Sequence, residues 1–188
     1  MSNKRLTSVR GRKRGLNPLI PIGALAAVAV AAFLLFGQGS GEIEGIQKFS
    51  GLSRDHKPSG FNYTMAPPVG GEHVASWQNC GIYRLPVRNE YAVHSLEHGA
   101  AWITYQPDLP AEDVDRLKGL ARGQSHVLMS PYPGISAPVI VVAWGLRLEA
   151  KSADDPRVAQ FVKKYANGPQ TPEPGASCRG GFGAPDEM

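Results

Sequence analysis

Seven residues, Pro138-Val-Ile-Val-Val-Ala-Trp144, carry no charged side chain and no polar–apolar alternation. A strand with that pattern has no face to offer water. It must lie inside a sheet with further structure packed on both sides. The neighbouring segments supply that structure. Ala111–Arg122 places Val114, Leu117, Leu120 and Ala121 on one side and charged residues on the other, the pattern of an amphipathic helix. Asp154–Tyr165 reads as a second such helix, with Asp154 or Asp155 near its N-cap, Pro156 in the first turn and Val158, Phe161, Val162 and Tyr165 as its apolar face. Further strands are expected at 100–105, 125–130 and 146–150, and a short one at 46–49. With a third helix over about 88–98, the order predicts an α+β fold: a small mixed β-sheet with about three helices.

That third helix carries the densest chemistry. Within Glu90-Tyr-Ala-Val-His94-Ser-Leu-Glu97-His98-Gly99 stand two of the chain's five histidines and two carboxylates. At helical spacing Glu90, His94 and His98 stack along one face and Glu97 joins its edge, while Gly99 supplies a stop. Two histidines one turn apart are a usual start for a Zn²⁺ or Cu²⁺ site, and His73, on a turn after Gly70-Gly71, is placed to approach as a further ligand. The candidate metal set is therefore His94, His98, His73, Glu97 and Glu90, with zinc or copper as the cofactor. His94-x-x-Glu97-His98 also matches the inverted zinc-peptidase pattern, but the helix is short and only Glu149 and Glu173 lie downstream to complete it. The pattern therefore favours binding over catalysis. Without a metal, the same face would serve as a buried polar network or a partner-binding surface. His56 reads as a surface-loop residue, His126 as a packed strand residue, Met65 and Met129 as core fillers, and Trp77, Trp102 and Trp144 as core aromatics.

Residues 1–18 form a basic tail with Lys4, Arg5, Arg10, Arg12, Lys13 and Arg14 and no acid, followed by an apolar run from Leu19 to Phe36. A run of that length after six cations predicts one transmembrane helix over 19–36, contacting lipid through residues 4–36. The N-terminus is then cytoplasmic and the rest extracytoplasmic, a single-pass protein of the cell membrane. A cleaved signal peptide is the competing reading. Residues 37–45 serve as a linker, 46–166 as the extracytoplasmic domain and 167–188 as a Pro/Gly-rich tail, expected to be disordered except where Cys178 pins it. Without the six N-terminal cations, 14 Lys and Arg face 16 Asp and Glu, and no basic stripe with interleaved aromatics remains. Nucleic acid is thus not an expected partner. Cys80 and Cys178, the two cysteines, read most simply as a disulfide in an oxidising compartment; Cys80 as a thiolate ligand is the alternative.

Several blocks together resemble a bacterial family known as domain of unknown function 3105. They are Pro67-Pro68-x-Gly70-Gly71-x-His73, Trp77-Gln-Asn-Cys80-Gly81-Ile-Tyr83, Ala92-Val-His94-Ser-Leu-Glu97-His98-Gly99-Ala, Trp102-Ile-Thr-Tyr105 and Pro-Glu-Pro-Gly-Ala-x-Cys178. The resemblance spans roughly 45–182. It implies a membrane segment followed by an exported domain without an established activity. It also implies a shared site at positions matching His73, Cys80, His94, Glu97, His98 and Cys178. Three functions follow from the sequence: an exported metal-binding domain first, a structural or partner-binding module second, an exported metallohydrolase third.

Overall fold

A computed structural model describes residues 42–188. The strands are β1 (Gln47–Lys48), β2 (Gly81–Ile82), β3 (Ala101–Tyr105), β4 (Val127–Pro131), β5 (Val139–Ala143) and β6 (Leu146–Ala150). The helices are α1 (Asn89–Glu97), α2 (Ala111–Ala121) and α3 (Pro156–Tyr165). The strands form one mixed sheet in the order β1-β6-β5-β3-β4-β2. β4 lies parallel to both β2 and β3, and α2 lies between β3 and β4 in the chain as the crossover that such pairing needs. The remaining pairs are antiparallel. The α+β expectation with a small mixed sheet and three helices therefore holds. The apolar run at 19–36 and the basic tail before it lie outside the described residues, among which no helix is long and apolar enough to cross a membrane.

The unalternating run at 138–144 behaves as its composition demands. Every residue of β5 is buried, and successive side chains feed two different cores. Val139, Val141 and Ala143 join Ile103, Met129 and Leu148 beneath α2 and α3. Ile140 and Val142 join Trp102, Leu128 and Leu96 on the face that α1 covers. The period-two geometry of a strand produces this division. On the first face α3 contributes Val158, Phe161, Val162 and Tyr165, all buried, and Asp155 caps it by accepting a 2.9 Å hydrogen bond from the Arg157 amide.

The second face positions the site. α1 lies there, and the irregular chain from 50 to 81 is packed with it. Gly99 ends α1 at φ +101°, and a side chain there would meet Thr171 Oγ1 at 2.9 Å, so both conformation and space call for glycine.

The C-terminal tail departs from its expected disorder. Its backbone pairs with the edge of the fold: the Cys80 amide donates to the Cys178 carbonyl, Asn79 to Phe182 and Ile82 to Glu187. Lys118 and Arg122 of α2 hold the Glu187 carboxylate. Unpaired backbone groups beside β2 provide partners that composition does not reveal, and the tail closes that exposed edge.

Candidate metal centre

Four of the five histidines converge on the α1 face. His94 and Glu97 project from α1, and His98 is its C-cap residue. His73 follows Gly70 and Gly71, both at positive φ, and His56 comes from the loop before it. The two loop histidines are brought together by backbone: the Lys57 amide donates to the His73 carbonyl at 2.8 Å, and the His73 amide to the Asp55 carbonyl at 3.1 Å. One donor atom from each of His56, His73, His94 and Glu97 lies within 4.8 Å of the others, a grouping able to hold a metal ion. His94 Nε2 is 3.0 Å from His98 Nε2.

The outward-facing nitrogens are fixed by what the opposite nitrogens do. His73 Nδ1 donates to the Gly71 carbonyl, His94 Nδ1 to Val74 and His98 Nδ1 to Ser177, at 2.7, 2.7 and 2.8 Å. A carbonyl can only accept, so each Nδ1 carries the hydrogen and each neutral ring presents a bare Nε2. This is the backbone support that orients imidazole ligands in metal proteins. The bare atoms then face other acceptors. His73 Nε2 lies 2.9 Å from Glu97 Oε2, and the two Nε2 atoms of His94 and His98 face each other. Lone pair against lone pair is repulsive unless a proton or a cation lies between. Burial pushes His94 down to about 4, with the nearby His73, His98 and His56 adding to the effect against the Val74 hydrogen bond, so at neutral pH its Nε2 remains a ligand.

The site has a buried floor and an open rim. His73, Glu97, His94 and His98 are buried, whereas the His56, Arg54 and Glu173 side chains are 45, 51 and 41% exposed. Arg54 bridges the two carboxylates, its Nε 2.5 Å from Glu97 Oε1 and its Nη2 3.1 Å from Glu173 Oε1. It thereby supplies the positive charge that a buried carboxylate requires. Glu173 reaches His98 Nε2 with its other oxygen at 3.5 Å. Trp77 and Trp144 form aromatic walls, 4.6 Å from the His98 ring and 6.1 Å from that of His73. Trp144 also packs on the core as expected, Trp77 joins neither core, and Trp102 alone of the three is fully buried.

Of the sequence candidates, His73, His94 and Glu97 meet in the four-donor group, and His98 adjoins it through His94. Glu90 does not join them; it pairs with Arg88 at the other end of α1. His56 lies on an exposed loop as expected, and from there its ring also belongs to the group. His126 stands apart, bonded to the Ala176 carbonyl and to Ser125. Cys80 is bonded to Cys178, which closes the thiolate alternative. Nothing in the sequence around His56 or Arg54 has a period or motif that would have singled them out, whereas Glu173 stands in the Pro-Glu-Pro-Gly-Ala-x-Cys178 block and, with Glu149, is a downstream candidate for the His-x-x-Glu-His pattern. Of these two glutamates, Glu173 lies beside His98, whereas Glu149 is held by Arg147 and Ser136.

The family model described as protein of unknown function (DUF3105) matches residues 56–180, more than half of the chain. The chain belongs to this family. The matched DUF3105 region begins at His56 and contains every donor described above together with both cysteines. Neither a curated protein nor a solved structure matches the chain.

Proposed function

We propose that this DUF3105 protein binds one divalent transition-metal ion, zinc or copper, through His56, His73, His94 and Glu97. The observation that carries the reading is the approach of one donor atom from each of these four residues to within 4.8 Å of the others, with Nδ1–H bonds to backbone carbonyls orienting the His73 and His94 rings. Three imidazoles and one carboxylate suit Zn²⁺ and Cu²⁺, and with both cysteines in a disulfide no thiolate is offered to Cu⁺. Cu²⁺ should outcompete Zn²⁺ here, as at most nitrogen sites. We further propose that the domain is displayed outside the cell by the apolar run at 19–36. The basic residues before that run and the Cys80–Cys178 disulfide support this location.

Elemental analysis of the purified chain, with and without added metal, tests the binding reading. One ion per chain is expected in the wild type and none in a His73→Ala, His94→Ala double variant. A wild type that takes up neither ion at micromolar concentration would leave the cluster as a polar network or partner surface.

A further inference from the structure

Resting on that reading, we propose a second metal position at the rim, formed by His94, His98 and Glu173, through which the ion reaches the inner donors. In a tetrahedral zinc site, bonds of about 2.0–2.1 Å place neighbouring ligand atoms roughly 3.3 Å apart. His98 Nε2 has such neighbours on both sides, His94 Nε2 at 3.0 Å and Glu173 Oε2 at 3.5 Å. Two imidazoles and a carboxylate make a known zinc ligand class with a fourth position left open. His98 is oriented for the role by the Ser177 carbonyl on its Nδ1.

The two positions cannot be filled together. His94 Nε2 has one lone pair, and both sets use it. Charge points the same way: Arg54, Glu97 and Glu173 together carry −1, so one dication leaves +1 whereas two would leave +3 in one small site. Exposure and charge together supply the direction. Glu173 and His56 are the exposed ligands, at 41 and 45%, and of the two only Glu173 is an anion, so an arriving cation is drawn to the rim set first. It then pivots on His94, exchanging His98 and Glu173 for His73, His56 and Glu97. Arg54, which touches both carboxylates, loses one partner at each stage and retains the other.

Stopped-flow uptake of cobalt(II), followed by its visible absorption, separates the two sets in the full chain. Glu173→Gln and His98→Ala are expected to slow association at least tenfold while changing the equilibrium dissociation constant less than threefold. His73→Ala is expected to weaken equilibrium binding by at least a hundredfold. Glu173→Gln changes an exposed side chain, so its result does not depend on refolding a core; near-UV circular dichroism checks His98→Ala. An unchanged association rate in Glu173→Gln overturns the proposal. So does a loss of affinity in either rim variant as large as that in His73→Ala, because the rim residues would then be ordinary ligands of one site. Binding of two ions per wild-type chain overturns the shared use of His94. A wild type that binds no metal removes the reading on which the rim position rests, a result distinct from any of these.

Discussion

His94 shows how a single side chain links burial to function. Its folded value near 4 lies below the ordinary 6.5, chiefly because burial penalises the imidazolium. Between those values the unfolded chain takes up a proton that the folded chain refuses. Stability is therefore highest above 6.5 and falls as pH drops through this window, by up to about 3 kcal/mol from this group. Urea unfolding of the metal-free protein at pH 7.5 and 4.5 should show that loss, and His94→Gln should flatten it. Equal slopes in the two proteins would exclude His94 as its source. Glu97 poses the complementary case. Its carboxylate is buried against Arg54 and His73, so Glu97→Gln keeps the shape but removes the anionic donor. Metal affinity should drop at least tenfold in that variant.

At the scale of elements, two short signals set the geometry that the site inherits. Gly99 stops α1 one residue after His98 and lets the chain turn against Thr171. Gly99→Ala should cost about 1–3 kcal/mol through strain and contact, and should disturb His98 more than His73. A variant with wild-type stability and metal affinity would show that the turn tolerates a side chain. On the opposite face, Phe161 of α3 is fully buried, and Phe161→Ala should cost about 3–5 kcal/mol by thermal or denaturant unfolding. Since the sheet separates Phe161 from the site, that variant should bind metal normally while it remains folded.

For the whole molecule, the disulfide joins the two parts of the chain that flank the site, Cys80 and Cys178, at a separation of 98 residues. Removing a cross-link over so long a loop should cost about 2–5 kcal/mol. In a Cys80→Ala, Cys178→Ala variant the tail should become the first target of limited proteolysis, since its remaining hold is hydrogen bonds and ion pairs, among them those of Glu173, Ser177 and Glu187, with no covalent tie. Equal resistance with and without the bridge would show that those contacts suffice. The tail carries both Glu173 and the Ser177 carbonyl, so its attachment also bears on the rim of the site.

Local pattern was enough to establish every element except β2, whose two residues, Gly81–Ile82, follow a stretch without any period. The unalternating run at 138–144 specified a strand covered on two sides, amphipathic periods marked α2 and α3, and helical spacing brought His94, Glu97 and His98 onto α1. The three share one helix, and the interval along a helix is a distance. Tertiary structure alone decided that His56 joins them, that Glu90 turns away to Arg88, and that Arg54 and Glu173 stand at the rim. Glu90, in the first turn of α1, is held by the N-cap residue Arg88, while His56, Arg54 and Glu173 lie in irregular chain, where no repeat relates sequence interval to direction. Their positions depend on long-range backbone pairs, such as Lys57 to His73 and Cys80 to Cys178, which form only once the sheet and α1 provide a surface on which to fold.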